Sequence, residues 1–321
     1  MNHSIISQQP YINPVRFHHS EAHITLEIEQ LVNTVMSQRT GNQSIAGIYT
    51  KPVYQHRLES MSRLLSVYEP DYSYEYSEHL MVFWRACRDA GILHWWDNYR
   101  HGVCDLDDLS EYQFEDMLES ILHYGQTCQS HRRQADRRYE MKKKQQGIQA
   151  LFEEIMQRHS KVLAVRTSLY YQAEYYHENG IRQVYGHLDE FIQQMAYRKG
   201  LFDNLLAYAW VLEQGTSRGY HIHLSQFFNG SRHQYGRYLG DQSGKIWQDV
   251  THGMGYWHNS NAQEKEFEAR GTRGIGMLHR NCPAEYECAL RNLGYLADPE
   301  KLDQYLRKKP KGRRSFGKSW L

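Results

Sequence analysis

The sequence predicts an α+β fold, in which a helical N-terminal region precedes an antiparallel sheet with helices on its faces. Three observations lead to this class. Residues 17–125 carry apolar side chains at helical spacing, β-rich runs alternate with helical segments from residue 161 onward, and the turn-rich segment 215–219 joins two of those runs. The 321 residues, 40% of them hydrophobic, suffice for a large buried core.

Three segments of the N-terminal region have the pattern of amphipathic helices. The segment "HLMVFWRACRDAGILHWW" is one of them, and Ser110 is a plausible N-cap for another, "SEYQFEDMLESILHYG". The first segment, "ITLEIEQLVNTVMSQ", has an apolar stripe of Ile24, Ile28, Leu31, Val32 and Val35. The stripe of the last segment consists of Phe114, Met117, Leu118 and Leu122. We expect Phe114, Met117, Leu118 and Leu122 to be buried.

A basic segment follows the helical region. Residues 131–145 hold seven Lys or Arg against two acids and form either an exposed helix or a linker. We place the domain boundary here, with a helical region of unknown role over 1–130, the basic linker or helix over 131–150, and a second domain over 151–321.

The second domain alternates strands and helices. "KVLAVRTSLYY", "LLAYAWVLE", "YHIHLSQFF" and "GIGMLHR" are the predicted strands. "HLDEFIQQMAYRKG", ending at Gly200, and "RYLGDQSGKIWQDVTHG", closing at Gly253, are predicted helices. Pro283 suits the first turn of a helix that carries Tyr286, Leu290 and Leu293.

The hairpin "LEQGTSRGYHIHL" is the strongest candidate site. Strand side chains alternate, so His221 and His223 share a face. A turn about Ser217 places Glu213 directly across from His221 on that face. Two imidazoles and a carboxylate suit Mg²⁺ or Mn²⁺ acting as a Lewis acid, and equally a catalytic zinc. The alternative is a pair of histidines on a solvated strand face.

Composition and charge bear on location and partners. There is no apolar run of 18 residues and no apolar core in "MNHSIISQQPYINPV", so we expect neither a membrane span nor Sec export. The five cysteines are odd in number and have no CxxC spacing, which fits reduced thiols in a cytosol. The net charge is +1, but residues 301–321 hold eight Lys or Arg against one acid. Two basic runs indicate a polyanionic partner, the alternative being solvated surface.

Two tyrosines are candidate nucleophiles for phosphodiester cleavage. Tyr295 ends the helix that Pro283 starts, and Asp298-Pro299 opens another helix before Tyr305. A tyrosine attacks poorly unless neighbouring Lys or Arg stabilises its oxyanion. For each tyrosine the alternative role is packing at a helix end.

Several of these segments together resemble a known family. "KVLAVRTSLYY", "EQGTSRGYHIHLSQFFNGSR", "GMGYWHNSN", "GIGML" and "YLADPEKLDQYLRKKPKGRRSFG", over residues 160–318, resemble the inovirus gene-two-type replication initiators of phages and prophages, members of the HUH endonucleases. The resemblance implies an HUH nuclease sheet with His221 and His223 as the HUH pair and Glu213 as third metal ligand. It also implies tyrosine attack, which leaves a 5′-phosphotyrosyl link and a 3′-OH that primes rolling-circle synthesis.

The resemblance does not decide between the tyrosines. Tyr295 lies where the family has its nucleophile in a Y-L-x-K pattern, but Asp298 replaces the lysine, whereas Tyr305 to Lys308 satisfies Y-x-x-K. We favour Tyr295, since Lys301 can supply the missing charge. The residues expected to bind DNA are Lys301, Arg307, Lys308, Lys309, Lys311, Arg313 and Arg314.

The sequence thus predicts a metal-dependent, site- and strand-specific DNA nicking endonuclease that initiates phage or prophage replication. Its expected partners are single-stranded or hairpin origin DNA and a host helicase and polymerase, in the cytoplasm of a bacterial host. Two alternatives remain open: an HUH relaxase or transposase with the same chemistry, and an inactive DNA-binding regulator, which the replacement of the lysine by Asp298 would explain.

Overall fold

The computed structural model describes residues 20–37, 60–69, 73–105, 108–126, 128–294 and 305–319, with only the backbone given for 128–135 and 137. The N-terminal elements are α1 (Glu21–Ser37), β1 (Tyr74–Tyr76), α2 (Glu78–Asp89), α3 (Ile92–Arg100) and α4 (Glu111–Gly125). Among these described residues the region is helical, as expected, apart from the three-residue strand β1.

The apolar stripes of the N-terminal helices form a core of their own. Ile24, Ile28, Val32 and Val35 of α1 are buried together with Phe114, Met117, Leu118 and Ile121 of α4, while Leu31 and Leu122 are half-buried. Ser110 caps α4, since its hydroxyl accepts from the backbone N–H of Gln113. The segment expected as one helix is two, because Gly91 adopts a left-handed conformation (φ +73°) between α2 and α3.

The basic segment is a helix and not a linker. It forms part of α5 (Cys128–Arg158), which runs without interruption for 31 residues. The C-terminal half of α5 buries Ile148, Leu151, Phe152 and Ile155 against the sheet. Its N-terminal half carries the basic run.

The second half of the chain forms a six-stranded antiparallel sheet and the helices that cover it. Its elements are β2 (Lys161–Tyr171), α6 (Ile181–Ala196), β3 (Leu205–Gly215), β4 (Gly219–Asn229), α7 (Gly236–Val250), β5 (Gly255–Asn259), α8 (Glu264–Ala269), β6 (Gly276–His279) and α9 (Pro283–Gly294). Two further strands, β7 (Lys308–Pro310) and β8 (Phe316–Lys318), follow. The strand order is β5-β2-β4-β3-β8, with β6 also paired to β2.

The two faces of this sheet pack against different helices. Leu169, Leu212, Ile222 and Leu224 form one core with α6 and α7, while Val162, Ala164, Ala209, Val211 and Phe227 form another with α5 and α9. The three long strands β2, β3 and β4 are buried on both faces along most of their length, whereas β5, β6 and β8 at the edges are only partly buried. The chain is therefore α+β with an antiparallel sheet, as predicted.

The C-terminal segment is integrated into the fold. Strand β7 pairs with β1 of the N-terminal region, and β8 pairs with β3 at the edge of the sheet. The alternating pattern of the sequence does not indicate these strands, because each has only three residues. No helix in the described part of the chain is long and apolar enough to cross a bilayer.

Candidate metal centre

The hairpin of β3 and β4 brings the three predicted ligands together. Glu213 pairs with His221 in the ladder, and His223 lies two residues further along the same face. One nitrogen of each imidazole and a carboxylate oxygen of Glu213 lie within 4.8 Å of one another. The geometry deduced from the sequence for the hairpin is therefore present in the structure.

Each imidazole is held through its Nδ1 atom, so that Nε2 faces the glutamate. His221 Nδ1 lies 3.1 Å from the carbonyl oxygen of Gly219 and must donate, because a carbonyl can only accept. His223 Nδ1 lies 2.8 Å from the hydroxyl of Ser168 on the neighbouring strand β2. In His221 the proton on Nδ1 leaves a lone pair on Nε2, the form in which histidine binds a metal, and the Ser168 hydroxyl is able to accept the Nδ1 proton of His223 in the same way.

The Glu213 carboxylate fits a cation better than it fits its protein neighbours. Its side chain is 3% exposed, and neither oxygen has a hydrogen-bond partner among the described residues. Oε2 lies 3.2 Å from Nε2 of His223 and 3.6 Å from Nε2 of His221. Ligands about 2.1 Å from a common ion are separated by similar distances. A buried carboxylate and two imidazole nitrogens at these distances could hold a metal ion.

The protonation states agree with this role. Burial by itself raises the pKa of Glu213, but the hydrogen bonds and positive charge of the facing imidazoles, when these are protonated, lower it to about 2. Burial lowers the pKa of His223 to about 4, against the opposing effect of Glu213. Near neutral pH the carboxylate is thus charged and His223 is uncharged, as metal ligands must be.

Strand β2 contributes a second layer that the sequence did not indicate. Ser168 pairs with His223, and Tyr170 lies two residues further on the same face. The Tyr170 ring stacks on His221 with centroids 5.6 Å apart, and its hydroxyl accepts from Arg218 at 2.6 Å. These contacts fix the orientation of both imidazoles. In "RTSLY" the side chains of Arg166, Ser168 and Tyr170 alternate with those of Thr167 and Leu169, a pattern that could have indicated this face of the strand. The sequence did not indicate which strand it pairs with.

Helix α9 ends close to this face. Arg166 lies two residues before Ser168 on β2, and one of its guanidinium nitrogens donates to the carbonyl oxygen of Asn292 near the end of α9. Helix α9 ends at Gly294. The favoured nucleophile Tyr295 follows directly, and both Tyr295 and Lys301 lie outside the described residues.

The other candidate tyrosine lies on the opposite side of the hairpin. The Tyr305 hydroxyl donates to a Glu29 oxygen of α1 at 2.5 Å, and the Arg307 guanidinium covers its ring. Arg307 bonds to Gln214, whose side chain points to the face opposite that of Glu213. Tyr305 therefore packs between α1 and the hairpin.

Two of the expected DNA-binding residues are buried, which corrects that assignment. Arg307 is 3% exposed and pairs with Glu29, and Lys308 is 1% exposed and contacts Glu21 and Glu69 at 2.7 and 2.8 Å. Neither side chain reaches a surface on which a strand of DNA could lie. Charged side chains are rarely buried without an oppositely charged partner. The spacing of Lys and Arg in the sequence did not indicate which acidic residues these partners are.

The remaining cations of the segment lie nearer the surface. Lys309 pairs with Glu75 at 2.9 Å, and Arg313 pairs with Asp189 at 2.5 Å. Lys311 and Arg314 are exposed in the turn between β7 and β8. These four side chains are in positions from which an anion can be contacted.

Lys308→Met should lower the free energy of unfolding by about 2 kcal/mol, measured by urea denaturation. The methionine keeps the buried stem but leaves Glu21 and Glu69 without their shared cation; the cost is below the roughly 3–5 kcal/mol of a fully buried pair because Glu69 is 40% exposed. Lys311→Met, at an exposed position, is the control and should change stability by less than about 0.5 kcal/mol. Equal effects of the two would show that Lys308 is not structural.

A comparison with protein families assigns the second half of the molecule. Residues 126–319, more than half of the chain, match the model of the YagK/YfjJ C-terminal domain. The chain belongs to this family. The YagK/YfjJ C-terminal domain is a family of prophage-type proteins.

The family region coincides with a structural unit. It begins just before α5 and contains the whole six-stranded sheet, the metal-site hairpin and strands β7 and β8. The N-terminal core of α1 to α4 precedes it. Searches of curated proteins and of solved structures gave no match.

Proposed function

We propose that this protein is a metal-dependent nicking endonuclease for single-stranded or hairpin DNA, which starts rolling-circle replication of a phage or prophage. The proposal assigns the sheet domain to the HUH endonucleases of the inovirus gene-two type. One observation carries it: two imidazole Nε2 atoms face a buried Glu213 carboxylate whose oxygens have no hydrogen-bond partner among the described residues. Membership of a prophage-type family is in keeping with it.

The hairpin residues would hold a divalent cation, Mg²⁺ or Mn²⁺, with zinc suited to the same ligands. A cation bound there polarises a phosphoryl oxygen of the scissile phosphate. The chain itself presents the ligands in fixed orientation, through Gly219 for His221 and Ser168 for His223. Tyr170, stacked on His221 and bonded to Arg218, would shield one side of the ligand set from water.

Tyr295 is the proposed nucleophile. Its hydroxyl would attack the phosphorus, forming the 5′-phosphotyrosyl bond while the 3′-oxygen leaves and takes up a proton. Two contacts support the choice: α9, which leads into Tyr295, is tied by Arg166 to the face that carries the metal site, whereas the Tyr305 hydroxyl is bonded to Glu29 on the other side of the hairpin. A rigid helix of this kind can present a hydroxyl to a phosphate.

Exposed cations around the hairpin would bind the phosphate backbone. Arg218 lies in the turn between β3 and β4, and Lys311 and Arg314 lie in the turn between β7 and β8, next to the edge strand that pairs with β3. Cations that neutralise phosphates contribute affinity without reading sequence. Recognition of an origin would then depend on other contacts. A host helicase and polymerase would continue replication in the bacterial cytoplasm after the nick.

Two alternatives share the fold. A relaxase or transposase would use the same chemistry, and its distinguishing mark is the DNA beside the gene: transposon ends in place of an origin hairpin. An inactive DNA-binding regulator is favoured by Asp298, which stands where the family pattern has a lysine. The complete Glu213, His221 and His223 set argues against loss of activity, since a regulator gains nothing from an unsatisfied buried carboxylate.

Incubating the protein with single-stranded origin DNA and Mn²⁺ should give a covalent protein–DNA band on a denaturing gel. The band should vanish with a chelator and return with Mn²⁺ or Mg²⁺, because the ligands position the phosphate only through the cation. Glu213→Gln, which has nearly the shape of the native residue, should bind DNA but give no band. A bound strand without any band, for the wild-type protein as for the variant, would identify the regulator instead.

A further inference from the structure

Lys144 on α5 lies beside the metal-site hairpin and has no role in the function proposed above. Its ammonium donates to the hydroxyl of Ser315 at 2.6 Å. The carbonyl oxygen of Ser315 accepts from the backbone N–H of Leu212, the residue before Glu213. Lys144 is half-buried, and both Glu213 and Lys309 lie within electrostatic range of it.

The same turn of α5 reaches the end of α9. A side chain placed on Gly294 would come within 3.0 Å of the amide nitrogen of Gln145, the residue after Lys144. Lys144 and Gln145 thus lie between the hairpin that holds Glu213 and the helix end that leads into Tyr295. This turn of α5 therefore adjoins both the hairpin and the end of α9.

The electrostatics of this placement call for an anion. Burial lowers the pKa of Lys144, as does the charge of Lys309, while Glu140 and Glu213 oppose the shift. A divalent cation on Glu213, His221 and His223 would repel the ammonium further, which weakens metal binding. A partly desolvated lysine next to a dication is unfavourable unless an anionic group binds to both.

We propose that Lys144 is the cationic residue that contacts the scissile phosphate and stabilises the charge that develops on it. This inference rests on the proposed nuclease function and deepens it. Lys144 would take the role for which the sequence had suggested Lys301, in compensation for Asp298. No lysine pattern near the tyrosines could identify it, because it comes from a helix more than 60 residues before the hairpin.

The test is Lys144→Met, which keeps the side-chain stem and removes the charge. With saturating DNA and Mn²⁺, the single-turnover rate of adduct formation should fall about 10²-fold, the usual effect of removing one group that stabilises developing charge. In DNA-free protein, Mn²⁺ affinity measured by calorimetry should rise, on the order of threefold to tenfold, because a repelling charge is gone. Lys144→Arg should restore part of the rate.

Two control variants separate this role from simpler ones. Lys142→Met removes an exposed charge from the same helix and should leave both the rate and the Mn²⁺ affinity unchanged. Ser315→Ala removes the hydrogen bond but keeps the ammonium, and should cleave nearly as fast as the wild type. A loss in Ser315→Ala equal to that in Lys144→Met would make the lysine a tether between α5 and β8, and overturn the proposal.

The remaining outcomes are also distinguishable. A wild-type protein that forms the adduct, with Lys144→Met forming it equally fast, overturns the inference and leaves the nuclease function intact. A wild-type protein that forms no adduct under any metal overturns both. A Mn²⁺ affinity that falls in Lys144→Met shows that the ammonium supports the metal site rather than the phosphate.

Discussion

Alanine at His221 or at His223 should abolish metal-dependent cleavage and leave affinity for single-stranded DNA within about threefold of the wild type. Each imidazole offers an Nε2 atom to the same buried space beside Glu213, so removing one leaves an incomplete ligand set. A Lewis acid contributes several kcal/mol to the transition state, which corresponds to a rate loss of at least about 10³-fold. Under the proposed function, affinity for DNA would come from exposed cations elsewhere.

Graded variants make this prediction sharper. Ser168→Ala keeps both ligands but removes the hydrogen bond to Nδ1 of His223, and should cost roughly 10- to 100-fold in Mn²⁺ affinity. His177→Ala, which removes an exposed histidine that pairs with Glu178, is the matched control and should leave Mn²⁺ affinity unchanged. Calorimetry measures the affinities and a gel measures cleavage. If DNA binding declined together with cleavage, the histidines would have to be structural.

Phenylalanine at Tyr295 should eliminate the covalent adduct, whereas phenylalanine at Tyr305 should leave most of it. The substitution keeps the ring and removes only the hydroxyl, which separates chemistry from packing. Tyr295 follows α9, whose end is tied through Asn292 to Arg166 on the face of the metal site. The Tyr305 hydroxyl donates to Glu29 of α1, which lies on the other side of the hairpin.

Tyr305→Phe has a different expected effect. Burial by itself raises the pKa of Glu29, but contacts with His79, Arg307 and Tyr305 outweigh this and lower the pKa to about 2. Loss of the hydroxyl removes one of these charge-assisted hydrogen bonds and should lower the free energy of unfolding by about 1.5–3 kcal/mol, measured by urea denaturation. Mass spectrometry of the trapped peptide identifies the nucleophile. An adduct on Tyr305 would reverse the assignment, and cleavage without any adduct would mean that water attacks.

The sequence predicted the local elements well because their patterns repeat over short distances. The stripe of α1, the N-cap at Ser110, the start of α9 at Pro283 and the hairpin between β3 and β4 are each determined by residues close together in the chain. The same holds for the relation of Glu213 to His221 and His223. A hairpin has one register for a given turn, and alternation within it decides which side chains share a face.

Contacts between distant segments were decided by the tertiary structure. Strand β2 is buried along nearly its whole length, on both faces, so its sequence does not indicate which residue pairs with His223; pairing with β4 selects Ser168. The charge pattern of the C-terminal segment indicates an exposed basic tail. In the structure, however, Arg307 and Lys308 are buried in ion pairs with carboxylates of the N-terminal region, more than 200 residues away in the chain. Strands of three residues, such as β7 and β8, have too few positions for any pattern.

By itself, then, the sequence determined the α+β class, the hairpin and the three side chains that converge on it, because each depends on a short periodicity. Only the tertiary structure decided which residues orient those side chains, that Tyr305 lies on the face opposite Glu213, and that Lys144 of α5 lies beside the site. The physical reason is that these contacts result from the packing of a helix or strand onto a distant surface, where total burial and charge pairing select the partner.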